Sequence, residues 1–520
     1  MAADPALRQG LETKPAAQSR VLAGDMVRAR LGAVAWPALV VTLITAGAFA
    51  QRVSLALGDG LPLGDGGMFY AVIEQIKAGG YRFPDYVSYN ETEIPFAYSP
   101  LSFYAAAVLS DITGLDSLTI LRFLPMIVSC LTIPAFYLMA KAILKREDVS
   151  LLATAFFATH ASFAKLIMGG GLTRSFGLLF AILAIYHLYH LTRDDATPRR
   201  ALLTALFMTL TVLSHPEMAW LVALFYAVIL CAFTRSWRDL LYPIGVVLLC
   251  LALTAAWWGI VLERHGIEPY LGALDSGNAN ALTPLGLLAI PLSRRWLLPA
   301  LLVASIYFGG RNVDFPEGIA VAILLGSATS WILPRLRFGD SEAPAGTRAL
   351  RALGHAGAAV GVIFMAAIWL GQTNDAIGSW LGRPAGEADS FAWIKQMTSE
   401  ESRFVVIADT DEWGYDHTGE WLPELTRRQS LTTVQGSEWL RGAEGYPAAK
   451  ANYQSLRECV TEGTSCLEAW SPVQKVAYTH VYITKDVCCV ALRESLAGTD
   501  GYALVYDGVG AQVYERLNPP

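Results

Sequence analysis

Apolar stretches close to the roughly 20 residues that a helix needs to cross a bilayer recur along most of this chain. They fall near residues 31–50, 119–143, 149–167, 173–191, 201–216, 218–234, 239–262, 282–293, 296–309, 317–334 and 354–371. Composition agrees: 16% of residues are charged, where soluble chains carry about 25%. Mean hydropathy is +0.39. The fold class expected is therefore a polytopic α-helical membrane protein with about eleven transmembrane helices. Spans eight and nine are short and broken by Pro291 and Pro299; a re-entrant pair there leaves the remaining topology unchanged.

Lys and Arg set the orientation. Arg28 and Arg30 precede the first span, Lys145 and Arg146 follow the second, and Arg193, Arg199 and Arg200 follow the fourth. Arg235 and Arg238 follow the sixth, Arg294 and Arg295 the eighth, and Arg335, Arg337, Arg348 and Arg351 the tenth. Every second loop is basic, which puts the N-terminus in the cytosol and the C-terminus outside. The net charge of −6 with this patterning argues against a nucleic-acid partner. Residues 46–50, AGAFA, imitate a signal-peptidase site, but the long apolar run and basic leader favour an uncleaved anchor.

The organisation expected is a disordered cytosolic leader over 1–30, a membrane domain over 31–371 and an external α/β domain over 380–520. In the last of these, Asp389–Met397 reads as an amphipathic helix and Arg403–Ala408 and His480–Thr484 as strands. Tyr502–Tyr506 with Ala511–Tyr514 reads as a hairpin turning at Gly508–Gly510. Cys130, Cys231 and Cys250 lie in spans and act as small apolar residues. Cys459, Cys466, Cys488 and Cys489 lie in the external domain, where disulfides are favoured over zinc because no CxxC pair or His cluster accompanies them.

The chemistry is expected where polar residues gather at the outer face. The first external loop, 51–118, is far longer than a turn requires. It offers Asp65 within a run of glycines, then Glu93, then the Tyr98-Ser-Pro-Leu-aromatic re-entry that includes Pro100, Phe103 and Tyr104. Further outer loops carry His160, Lys165 and Arg174 around Gly169–Gly171, then His215 and Glu217 in SHPEMAW. Glu263, Arg264, His265 and Glu268 follow in ERHGIEPY, and Arg311 and Asp314 in GGRNVDFPEG. Ionisable groups at a membrane are functional hypotheses by default. Each also has a plain reading: the cations snorkel to headgroups, His215 caps a helix, and Asp65 stabilises a Gly-rich turn.

The Asp65 loop with its YSPLSFY re-entry, the GGGLTR turn and an Arg after a late span resemble the GT-C class of polytopic glycosyltransferases. That class includes protein mannosyltransferases, aminoarabinose transferases and oligosaccharyltransferases. GGGLTRSFGLLF, LSHPEMA and WLPELTRRQSLTTVQGSEWL are also similar to bacterial and archaeal membrane proteins of the class. The resemblance implies sugar transfer, with inversion, from a polyprenyl-phosphate-linked donor lipid to an extracytoplasmic glycan, lipid or protein. Asp65 then stands where the class places its catalytic base, although several members pair an Asp with a Glu and here Asp59 and Asp65 stand apart. Arg311 and Arg174 are the candidates for the donor phosphate, and Glu93, Tyr98, His215 and Glu217 for sugar or acceptor. No cofactor is expected with a monophosphate-linked donor; Asp65, Glu93 and Glu217 offer an alternative carboxylate set for Mg²⁺ or Mn²⁺.

Two other classes compete. A transporter or flippase usually buries its charges at mid-membrane and shows repeat symmetry, whereas the span interiors here are nearly free of charge. A non-catalytic envelope assembly protein leaves the polar outer rim without a purpose. Asp409-Thr410-Asp411 imitates the metal-binding motif of nucleotide-sugar transferases, yet its place at the end of RFVVIA favours a strand-end turn. The aromatics Trp413, Tyr415, Trp421 and Trp439, with Glu420 and Glu438, either stack on sugar rings or form the domain core, and core is the favoured reading.

Overall fold

A computed structural model describes residues 36–53, 57, 61–62, 64–160, 166–167, 171–194, 196–274, 314–332, 386–440, 445–473, 477–485 and 488–517. The first span is helix α1 (Trp36–Val53). It is followed by α2 (Gly66–Ala78), the hairpin β1 (Tyr86–Tyr89) and β2 (Thr92–Pro95), and α3 (Leu101–Thr113). The long first loop is thus a folded unit and not an irregular strap. Ile112 in the last turn of α3 and Leu115 just beyond it are exposed apolar residues.

The helices continue with α4 (Ser117–Leu144), α5 (Glu147–Ala158), α6 (Gly171–Arg193), α7 (Pro198–Val212), α8 (Pro216–Phe233) and α9 (Leu241–His265). After them come the short α10 (Glu268–Leu274) and α11 (Asp314–Ile332). Local chemistry sets several starts. Asp116 caps α4 by accepting from the Thr119 amide at 2.8 Å. Pro198 and Pro216 occupy first helical positions, where a missing N–H costs nothing. Five of the described helices are long and apolar enough to cross a membrane: Trp36–Val53, Ser117–Leu144, Gly171–Arg193, Pro216–Phe233 and Trp237–His265. The spans expected at 282–293, 296–309 and 354–371 lie outside the described residues, as do the leader 1–30, Asp59, Lys165 and Arg311.

The C-terminal domain contains α12 (Glu387–Met397), β3 (Arg403–Ile407), α13 (His417–Thr426), β4 (Gln429–Ser430) and α14 (Tyr446–Glu462). Then follow α15 (Thr464–Val473), β5 (His480–Thr484), α16 (Val490–Ala497), β6 (Tyr502–Asp507) and β7 (Ala511–Arg516). The strands form one sheet in the order β4-β3-β5-β7-β6. β3 runs parallel to β4 and β5, and β7 antiparallel to β5 and β6. Strand alternation splits the core in two. Val405, Ile407, Val481 and Ile483 face α14, α15 and α16. Phe404, Val406, Tyr482 and Val513 face the other way and share a cluster with Phe69, Ile73 and Phe103 of the first loop. Because both faces of β3 and β5 are covered, these strands read as continuous apolar runs.

Two disulfides close in this domain, Cys459–Cys466 and the adjacent pair Cys488–Cys489. Asp409-Thr410-Asp411 forms the turn after β3. Arg457 of α14 holds it, pairing with Asp411 at 3.1 Å and donating to the Ala408 carbonyl at 2.6 Å.

Candidate active site between the first loop and the C-terminal domain

The run Gly64-Asp65-Gly66-Gly67 is shaped by what it touches. Gly64 and Asp65 both sit in the left-handed region, with φ 69° and 68°. For Asp65, a non-glycine, that conformation costs about 1–2 kcal/mol and needs support from its surroundings. The support comes from α13. The Gly67 N–H donates to Glu420 Oε1 at 2.9 Å, Trp421 Nε1–H donates to the Pro62 carbonyl at 2.7 Å, and the Tyr89 hydroxyl donates to the Glu420 carbonyl at 2.5 Å. A side chain on Gly66 would stand 2.8 Å from the Trp421 ring, and one on Gly67 would overlap the Glu420 carbonyl oxygen. Only glycine lets the two backbones meet. Nearby, Asn90 and Ser430 exchange two hydrogen bonds of 2.8 Å.

Tyr98 is the centre of the site. Its ring lies 5.4 Å from Phe69, 5.0 Å from Trp439 and 6.2 Å from His215. Thr173 donates to its hydroxyl at 3.4 Å. Burial raises the Tyr98 hydroxyl above its ordinary range. The Arg174 guanidinium opposes that rise, and Asp65 and Glu217 add to it. All three charges therefore act on the Tyr98 hydroxyl. His215 is buried and is the N-cap of α8, its Nδ1 accepting the Glu217 amide at 3.2 Å. Gly177 lets α6 approach α8 closely, since a Cβ there would stand 2.9 Å from His215 Cβ. Arg174, one turn earlier on α6, is carried in with it. Its Nε is buried and makes no hydrogen bond among the described residues.

Of the candidates read from the sequence, Tyr98 and His215 pack against each other, Glu217 adjoins His215 at the start of α8, and Arg174 follows Thr173, the hydrogen-bond partner of Tyr98; the Asp65 charge also acts on the Tyr98 hydroxyl. Glu93 is exposed on β2, while its neighbour Ile94 is buried and faces Gly436, so Asp65, Glu93 and Glu217 form no carboxylate triad. No group of three His, Cys, Asp or Glu side chains with metal-binding geometry occurs among the described residues. The ERHGIEPY loop serves docking: Arg264 pairs with Asp85, and His265 packs against Tyr86 at 4.9 Å.

The C-terminal domain adds Glu420 and Glu438, both buried. Burial pushes the Glu420 carboxyl well above its ordinary value, and the Asp65 charge pushes it further. Glu438 precedes Trp439, whose ring packs on Tyr98. The only sequence signal for them was a cluster of acids and aromatics; Trp421 and Trp439 are core residues of this interface. Beside the polar cluster lies a cavity of about 390 Å³ with apolar walls, including Pro100, Leu101, Tyr104, Leu213, Trp257 and Ile260.

Residues 97–259 match the family model of dolichyl-phosphate-mannose-protein mannosyltransferase. Three solved structures share the overall fold. ArnT from Cupriavidus metallidurans is 17% identical over 93% of this chain and 98% of its own, with a TM-score of 0.53. The archaeal oligosaccharyltransferase AglB from Archaeoglobus fulgidus is 15% identical over 86% of this chain and 69% of its own, with a TM-score of 0.50. The arabinofuranosyltransferase AftD from Mycobacteria is 15% identical over 92% of this chain, which spans 40% of it, with a TM-score of 0.52. No curated protein matches the chain in sequence. At these identities the likenesses show a shared fold: the chain is built like ArnT, AglB and AftD. Within it, the segment from Ala97 to Gly259, which includes Tyr98, Arg174, His215 and Glu217, carries the mannosyltransferase-type sequence pattern.

Proposed function

We propose that this protein transfers a sugar from a polyprenyl-phosphate-linked donor to an acceptor outside the cytosol, inverting the anomeric carbon. The observation that carries the reading is Tyr98 packed on His215 and Trp439 and bonded to Thr173, the neighbour of Arg174, beside an apolar cavity, with the Asp65 and Arg174 charges both acting on its hydroxyl. A base, a cation and a lipid-compatible groove are the three things such a reaction needs in one place. ArnT has been solved bound to undecaprenyl phosphate and AglB in complex with a dolichol-phosphate, which supports a polyprenyl carrier here.

In this mechanism the acceptor hydroxyl gives its proton to the Asp65 carboxylate as its oxygen attacks the anomeric carbon. The bond from that carbon to the phosphate oxygen breaks, and polyprenyl phosphate leaves. Arg174 offsets the charge that grows on the phosphate, its planar fork being suited to two phosphate oxygens. Arg311 is the second phosphate candidate from the sequence. Tyr98 stays neutral because burial raises its hydroxyl, so it offers the sugar a hydrogen-bond donor. Glu217 and His215 flank it. The first isoprene units lie along the cavity by Leu101 and Trp257. The C-terminal domain faces outside and the N-terminus the cytosol.

The test uses full-length protein in nanodiscs. Binding of undecaprenyl phosphate is measured directly, and a panel of polyprenyl-phosphate monosaccharides is screened for release of the polyprenyl phosphate. Binding with release by the wild type, and release lost by about 10²–10⁴-fold in Asp65→Asn without a change in melting temperature, supports the reading. No binding and no release across the panel refutes it; unchanged release in the variant removes Asp65 as base.

A further inference from the structure

Asp65 occupies the N-cap of α2, yet its side chain does not cap that helix. An Asp at this position ordinarily accepts a hydrogen bond from an amide of the first turn, because the first N–H groups of a helix have no partner within it. Here a carboxyl group from another domain takes that role. Glu420, fully buried on α13, accepts the Gly67 N–H at 2.9 Å, and the Asp65 amide donates to it as well. Its other oxygen receives Gln435 Nε2–H at 3.4 Å. The left-handed turn at Gly64 and Asp65 presents these amides to α13. The Asp65 carboxylate makes no cap bond to α2, and its charge acts on the Tyr98 hydroxyl.

We propose that Glu420 is a positioning residue for Asp65: by capping α2 from the C-terminal domain, it relieves Asp65 of capping and holds its carboxylate toward the acceptor. This rests on the transferase reading above. Without Glu420, the cheapest way to satisfy the Gly67 amide is for Asp65 to leave the left-handed region and cap its own helix. That movement takes the base away from the reacting oxygen. Burial and the nearby Asp65 charge push the Glu420 carboxyl toward its neutral form. Gln therefore matches it in charge and shape and keeps an acceptor oxygen for Gly67.

Two measurements on full-length protein in nanodiscs test this. Hydrogen exchange of the peptide containing Gly67 reads the clamp without reference to activity. Expected are faster exchange in Glu420→Ala and recovery in Glu420→Gln. Turnover on the active polyprenyl-phosphate monosaccharide reads the consequence. In Glu420→Ala, kcat should fall about 100-fold, the effect of misplacing a catalytic group by an ångström, with undecaprenyl phosphate binding unchanged; Gln should restore most of it. Because Glu420 acts through Asp65, Glu420→Ala should cost nothing further in an Asp65→Asn background. Unchanged exchange in Glu420→Ala overturns the proposal, and so does altered exchange with unaltered kcat. Additive losses in the double variant, or lipid binding and kcat falling together without rescue by Gln, reduce Glu420 to a structural residue. If the wild type turns over no donor, the transferase reading falls, while the exchange data still decide whether the clamp exists.

Discussion

Gly67→Ala isolates the geometry on which the site depends, because it keeps the amide that Glu420 accepts and adds a single methyl. That methyl would overlap the Glu420 carbonyl oxygen and stand 3.1 Å from its carbonyl carbon. Both are backbone atoms of a buried helix, so neither can swing aside as a flexible side chain would. Carbon contacts relax only near 3.5–4.0 Å, so the turn has to withdraw from α13 by about 1 Å. Asp65 moves with it, and a displacement of that size costs on the order of 10²-fold in rate. The overpacking should also lower stability by about 1–3 kcal/mol. Gly80→Ala is the control. Gly80 has φ +61° and nothing within 4 Å of an added Cβ, so it loses about 1–2 kcal/mol to backbone strain but leaves Asp65 in place. Turnover and melting temperature of both variants, measured side by side, separate strain from displacement. If Gly67→Ala keeps kcat within about threefold of wild type, the register between α2 and α13 does not govern the base, and the reasoning is wrong.

Arg174→Ala should weaken undecaprenyl phosphate binding by about 10–100-fold, the equivalent of one charge-assisted hydrogen bond lost. Arg174→Lys should recover only part of it, since a point charge does not replace the fork; full recovery by Lys rules out two-point contact. Stability should depend on pH through the interface. The folded-state value of Glu420 is raised, so the folded protein holds a proton that the unfolded chain releases near the ordinary carboxyl value. Stability from this group is complete below that value and declines as pH rises above it. Glu420→Gln removes that decline, so its melting temperature relative to wild type should climb as pH increases. Asp416 and Glu424, also raised by burial, keep some slope in both proteins. A constant difference at all pH values refutes the assignment. Arg52, buried in α1 and donating to Ser129 Oγ at 3.3 Å, Cys130 Sγ at 3.4 Å and the Ala158 carbonyl at 3.2 Å, ties α1 to α4 and α5. Arg52→Ala should lower the melting temperature by more than any exposed Arg variant, because three partner groups lose their donor.

Much of the layout was legible from the chain alone. Apolar run length is a local property, and it located the helices that the structure describes from Ser117 to His265. The same pattern drew attention to one membrane face, and there to Asp65, Tyr98, Arg174, His215 and Glu217. Strand periodicity in the C-terminal domain also read correctly, from Arg403 to the hairpin ending at Arg516. Glu93 shows where this stops. Whether a hairpin residue faces a site or solvent depends on register, and the pairing of Ser88 with Glu93 turns Ile94 inward and Glu93 outward.

The sequence by itself pointed to a largely helical chain with long apolar helices, a long loop after the first of them and a C-terminal segment of α/β pattern, because hydropathy, charge and turn chemistry act over a few residues at a time. Only the tertiary structure decided what holds the candidate base. Glu420 lies 353 residues from the Gly67 amide it accepts, and nothing local marks a buried carboxyl as the cap of a distant helix. That contact exists because two glycines let α2 and α13 touch, and because an unpartnered helix N-terminus must be satisfied by whatever acceptor the fold brings to it.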